Sequence, residues 1–377
     1  MGQWSSFANG IRYLARCNGP PTDFPAMNPS EPAPKRSFRW FALLAVAIGL
    51  SLGTRANNIQ VANTTLTGND GTAGTVNVQF DVTWENSWRG ISLNNWDAAW
   101  VFVKFRTING LWQHVQLGNT GHTAAAGSTI DPGLLTPGTA FNATTNPVMG
   151  VFIYRNANGT GTFAANVTKL NWNYAAQGLS YVDIVDVQVC ATEMVYVQPG
   201  AFFVGSGGTE FGSFTDGSWT SGNTIPLRIT SENALTVAQS AGALWGTSTV
   251  ASSTVGGAGV LGASFPKGFA AFYCMKYELT QQGYVDFLNT LTYTQQVSRT
   301  QFSPSSAAGI KALASNFYRT GIEIQTPGVT PTTPARYACN LDDDNDFGEP
   351  VDGKDLACNA LKWGDEARFW TGAACAP

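Results

Sequence analysis

Residues 75–84 constrain the fold more than any other stretch of the chain. Val76, Val78, Phe80, Val82 and Trp84 alternate without a fault with Asn77, Gln79, Asp81 and Thr83. A period of two puts one set on each face of an extended strand, so a half-buried β-strand is predicted here and a helix is not. Residues 98–106 read differently, because Trp100, Val101, Phe102 and Val103 are apolar on both faces. That is the pattern of a central strand covered on each side. Further strand-like runs occur at residues 58–66, 112–117, 148–155, 163–172 and 181–190, with Gly- and Asn-rich turns between them. So many short strands in one domain's length predict an N-terminal all-β antiparallel sandwich over residues 57–192.

Composition agrees. Of 377 residues, 12% are charged, 44% are hydrophobic and 41 are Gly, which suits turn-rich β structure and argues against coiled coil or charge-rich disorder. The formal net charge of -4 supplies no basic footprint for a phosphate backbone, so no nucleic-acid partner is expected.

The charge is unevenly spread. Residues 1–56 hold six of the 21 Lys and Arg and two of the 25 Asp and Glu, leaving 15 cationic against 23 anionic side chains in the remainder. Within that leader, residues 41–52 are apolar, preceded by Lys35, Arg36 and Arg39 and followed by Thr54, Arg55 and Ala56. A bilayer needs roughly 20 apolar residues, so no stable transmembrane span is expected. A basic flank, a short apolar run and small exit residues instead predict a signal peptide cleaved after Ala56, with Met27 as an alternative start, and a secreted or cell-surface location. Five cysteines follow Ala56, an odd number that leaves at least one outside any intramolecular pairing.

After Cys190 the texture changes. Pro199 and Gly200 punctuate two short strand-like runs, and a long stretch rich in Gly, Ser and Thr follows. Tyr284, Phe287, Leu288 and Leu291 then share one helical face, with Thr280 available as N-cap. Further helices are expected at residues 304–316 and 361–370. Residues 193–377 are therefore predicted to form a second, loop-rich α+β domain.

Three segments of that domain resemble the formylglycine-generating-enzyme, or sulfatase-modifying-factor, family. Residues 194–206 are similar to its opening strands, which read Pro-Gly-x-Phe-x-Met-Gly, with Val204 where Met is usual. Residues 272–289, carrying Glu278, Thr280 and Phe287, look like its strand and first helix, and residues 357–370, carrying Trp363 and Asp365, resemble its Trp-x-Asp-Ala helix. The resemblance implies a relative of the C-type lectin fold. Active members of the family oxidise a cysteine of a client sulfatase with oxygen and a copper ion held by two cysteines. Only five residues follow Gly372, so the segments that would hold copper are expected to be missing and the domain incomplete. Scaffold residues carry over, catalytic residues do not, and copper enters only with that further part. An iron-dependent branch that uses histidine ligands is excluded, since His114 and His122 both fall in the sandwich.

Residues 340–355 contain seven carboxylates against one Lys. Oxygen ligands at alternate positions, Asp342, Asp344 and Asp346, suit calcium, which takes six to eight oxygens; the alternative is a solvated acidic loop, and the EF-hand spacing is not met. Cys339 and Cys358 flank this loop. A disulfide between them and two separate thiols are both open readings. Trp84 to Trp112 includes five of the 12 Trp, which fits either sugar stacking or a sandwich core. Two functional classes follow: a non-catalytic exported protein that binds a protein or glycan, and a fragment of a cysteine-oxidising enzyme.

Overall fold

The computed structural model describes residues 58–90, 94–108, 110–135, 139–208, 210, 212–217, 225–246, 258–313, 319–347 and 349–361. The expected signal peptide, and Trp363 and Asp365 with nearly all of the helix expected at 361–370, lie outside them. The described residues are built mostly from antiparallel β-ladders, and none of their helices is long and apolar enough to cross a membrane. They divide into two compact units. One is drawn from residues up to Ser87, from Ala99–Glu193 and from Tyr277 onward; the other is Trp88–Ala98 with Met194–Lys276.

The first unit contains the sandwich. Its strands are β1 (Gln60–Asp70), β2 (Thr75–Arg89), β3 (Asp97–Thr107), β4 (Gln113–His114), β5 (Ser128–Leu134), β6 (Val148–Arg155), β7 (Gly159–Asn173) and β8 (Val185–Val197). One sheet runs β1-β2-β7; the other contains the path β8-β3-β6-β5, with β4 paired to β3. The alternation read in the sequence is what joins them. Val76, Val78, Phe80, Val82 and Trp84 are all buried and meet Ala99, Val101, Val103 and Phe105 of β3 in one apolar core. Trp84 packs edge-on to Phe163 at 4.9 Å, and Phe105 meets Trp172 at the same separation. Each such side chain fully removed from water contributes roughly 1.5–3 kcal/mol.

β3 is covered on its second face too, as its sequence predicts: Trp100 and Phe102 are buried opposite the core. The Trp100 ring lies over Gly133 and Gly150, which face each other across β5 and β6. A Cβ at Gly150 would come within 2.7 Å of that ring, so bare backbone is what admits the indole.

Two expectations are corrected, and one strand lies outside the expected runs. Strand β5 runs through Asp131-Pro132-Gly133; Pro132 is tolerated there since β5 ends its sheet. Residues 181–184 are not strand, because the Asp183 carboxylate accepts the Ser180 N–H at 2.6 Å and closes a local turn. The run at 112–117 shrinks to β4, followed by a backbone bond from Val115 to Val103 and single bridges at Leu117.

In the second unit the ladders are short: β9 (Phe202–Val204) with β11 (Leu227–Ile229), β10 (Phe214–Thr215) with β13 (Trp245–Gly246), and β12 (Leu235–Val237) with β14 (Gly259–Leu261). β15 (Phe272–Met275) pairs antiparallel with the last residues of β8, Tyr273 opposite Tyr196.

From Tyr277 the chain forms α1 (Gln281–Leu288), α2 (Tyr293–Val297), β16 (Ile322–Thr326) and β17 (Arg336–Cys339). Thr280 caps α1 as expected, its hydroxyl accepting the Gly283 N–H at 3.1 Å. Tyr284, Val285, Phe287 and Leu288 are buried. The helix expected at 304–316 is absent from its described residues, where Pro304, Ser305 and Gly309 sit in turns.

Candidate functional site

The acidic loop leaves β17 and returns against α1. Asn340, buried next to the strand end, donates through its N–H to Gly321 O at 2.8 Å and through Nδ2 to Glu323 Oε1 at 2.5 Å. Lys311 reaches the same place. Its Nζ lies 3.3 Å from Glu323 Oε2, donates to Asn340 O at 3.0 Å and pairs with Asp343. One ammonium thus serves a buried carboxylate, a strand-end carbonyl and the exposed loop. Asp343 and Asn345 adopt left-handed backbone, with φ of 61° and 67°, which turns the loop back sharply. Asp344 Oδ1 accepts the Asp346 N–H at 2.8 Å.

The returning segment is anchored. Leu341 N–H donates to Asp352 O at 3.2 Å, and Gly353, at φ 74°, ends a short 3-10 turn over Pro350–Asp352. Lys354 O and Leu356 O then accept the N–H groups of Gln282 and Gln281 at 3.0 and 2.8 Å, and Cys358 N–H donates to Leu279 O at 2.7 Å. The bonds to Gln281 and Gln282 satisfy donors at the α1 N-terminus that the helix cannot satisfy itself. Gln281 adds a side-chain clasp, accepting from Gly321 N–H at 2.8 Å and donating to Arg319 O.

Carboxylate oxygens of Asp342, Asp344 and Asp352 lie within 4.8 Å of one another, a set that could hold a metal ion. Two of the expected ligands, Asp342 and Asp344, are in the group. Asp346 is not; Asp352 takes its place, brought in by the fold of the loop rather than by alternate spacing. Asp342 and Asp344 are exposed and Asp352 is buried. The crowding shows in Glu349, whose carboxyl is pushed up first by neighbouring Asp346 and then by burial and Asp344. All the donors are hard carboxylate oxygens, which suits calcium better than a softer metal.

No disulfide joins Cys339 to Cys358. Cys339 is buried in β17, and its thiol is pushed up to about 12 by that burial, then by Asp286 and Asp352. The thiolate that would attack a disulfide or bind a metal is strongly disfavoured there. Asp286, on α1, is itself pushed up to about 6 by burial, against a hydrogen bond from Gln282 at 2.8 Å.

Of the scaffold residues carried over by resemblance, Glu278 is exposed, Thr280 is the cap and Phe287 is buried 5.8 Å from the Tyr284 ring. Lys311, Gln281 and Asp352 join the site without a motif to mark them. Lys311 stands out only as a charge between Ile310 and Ala312, and Asp352 only as one of the seven carboxylates of residues 340–355.

Trp84 and Trp100 are core residues. Trp96 has Arg89 over its ring at 4.8 Å and Tyr196 stacked on it at 4.1 Å, while Arg106 lies 4.7 Å from the Trp112 ring centre.

Comparison of the chain with models of known protein families, with curated proteins and with solved structures finds no match.

Proposed function

We propose that the chain is an exported, non-catalytic binding protein whose region after Glu193 uses a loop-rich scaffold resembling formylglycine-generating-enzyme domains and the C-type lectin fold. The observation that carries this reading is the set of backbone bonds from Leu279, Gln281 and Gln282 to Lys354, Leu356 and Cys358. They join the segment resembling the family's first helix to the start of the segment resembling its Trp-x-Asp-Ala helix. Between those anchors the acidic loop is held with Asp342, Asp343, Asp344 and Asp346 exposed. The raised thiol of Cys339 supports a role without cysteine chemistry. The partner in this proposal is a protein or glycan met by the loop, and calcium at Asp342, Asp344 and Asp352 is the cation to try first. Extracellular calcium modules bind with Kd of about 10⁻⁴–10⁻³ M. Calcium at roughly 100 times Kd is therefore expected to stabilise the protein by about 2.7 kcal/mol. Urea unfolding with calcium and with EDTA measures this, and Asp352→Asn is expected to abolish the difference. Identical curves for the wild-type protein would remove calcium from the proposal, and turnover of a cysteine-containing sulfatase peptide with copper would overturn the non-catalytic reading.

A further inference from the structure

Asp97, the first residue of β3, is a carboxylate with no solvent exposure, and Lys276, immediately after β15, is nearly as enclosed: side-chain exposure is 0% and 12%. The Lys276 Nζ lies 2.9 Å from Asp97 Oδ2. The other oxygen, Oδ1, accepts the Trp88 N–H at 2.9 Å. Neighbouring residues on both strands are fixed by aromatic contacts. Trp96 stacks on Tyr196 with planes 8° apart, and its Nε1 donates to Tyr273 Oη at 3.1 Å. Tyr196 N–H donates to Trp96 O at 2.9 Å, and Arg89 and Trp96 form an antiparallel bridge at the base of the excursion.

Two opposite charges enclosed in this way suffer a desolvation cost that their attraction offsets only in part. Condensation would abolish both charges. From these contacts we infer that Lys276 and Asp97 are joined by an intramolecular amide bond. A proton of the Lys276 ammonium first passes to Oδ2, and the neutral Nζ then attacks Cγ of Asp97; the N–C bond forms and the Cγ–Oδ2 bond breaks. Two of the three ammonium protons leave with Oδ2 as water, and the third remains on the amide nitrogen. Ammonium and carboxylate thus give a neutral amide and one water, with no oxidant or co-reactant. Oδ1 becomes the amide oxygen. The Trp88 N–H already directed at it polarises the carbonyl during attack and holds the product afterwards. In open water hydrolysis wins this equilibrium. Well-oriented partners on one framework reach effective molarities of about 10⁵–10⁸ M, and the enclosure of both side chains limits the return of water. The bond would tie the residue 88–98 excursion covalently to the end of β15.

Peptide mapping of the purified full chain under reducing, denaturing conditions tests the inference. Trypsin acting on an unlinked chain cuts after Arg89, Lys104, Lys267, Lys276 and Arg299. The amide bond blocks cleavage at Lys276 and joins residues 90–104 to residues 268–299, with a mass about 18 Da below the sum of the two peptides. Recovery of that branched species supports the bond, and Lys276→Arg is expected to eliminate it. Complete cleavage after Lys276 in the wild-type protein, with residues 90–104 recovered alone, would overturn it. Both outcomes are read on the wild-type protein and do not require the variant to fold.

Discussion

At the scale of single residues, the clearest consequences come from polar groups enclosed in β structure. His114 lies opposite Lys104 in the β3–β4 register, is stacked near Phe102 and faces Met149 O through Nε2. Its pKa is lowered from 6.5 to about 3, first by burial and then by the Lys104 charge, with the Met149 carbonyl opposing the shift. The sign follows from where the proton goes. Between those two values the unfolded chain binds a proton that the folded protein refuses, so this group's contribution is intact above pH 6.5 and is lost as pH falls toward 3. Asp286 acts in the opposite direction. Its folded value, near 6, lies above the unfolded 3.8, so the folded state gains as pH drops through 6. The wild-type profile is therefore flatter than either group alone would make it. His114→Gln removes one side of the balance. The stability of that variant relative to wild type is expected to rise by about 1.4 kcal/mol per pH unit below 6.5. Urea midpoints measured from pH 7.5 to 5 check this, and a constant difference would show that His114 does not set the slope.

At the scale of elements, legibility follows the period. β2 and β3 are readable because strict alternation and two-faced apolarity each permit one placement in a layered sheet. α1 is readable because Thr280 and one apolar face agree on its start. α2 is not: it spans five residues, and its main signal is the Thr292–Gln295 capping box, in which each side chain bonds the other's N–H. The turns at 304–313 carry Ala and Leu, which suggest helix, whereas Ser303 and Ser305 hydroxyls compete for local bonds. The candidate site divides in the same way. Asp342 and Asp344 stand out in a run of acids, but Asp352 joins them through the Leu341–Asp352 backbone bond, which no spacing rule anticipates. Thr280 tests the element itself. Replacing it with Ala removes the Oγ1 acceptor for Gly283 N–H but leaves the main-chain bridge to Ala357 in place. A loss of about 1 kcal/mol is expected in urea unfolding, with Thr280→Ser restoring most of it.

At the scale of the whole molecule, resistance to local opening depends on how much contiguous apolar surface each region removes from water. In the sandwich, side chains of β2, β3, β6, β7 and β8 enter one continuous core. The described residues of 200–262 are organised differently. Their ladders are two or three residues long, and Phe203, Ile225 and Val260 remain 64%, 59% and 70% exposed. At roughly 25 cal/mol per Å² of buried apolar surface, short ladders with exposed side chains add little that opposes opening. The acidic loop at 342–346 is exposed as well, held by the Lys311–Asp343 pair and by its strand-end bonds. A protease of broad specificity at low concentration is therefore expected to cut first between residues 205 and 262 or within 342–346, and to leave a resistant fragment from about residue 58 to about 190. Mass spectrometry of the time course identifies the cuts. Survival of the region after Glu193 as the longer-lived fragment would show that the continuous sandwich core is not what limits opening.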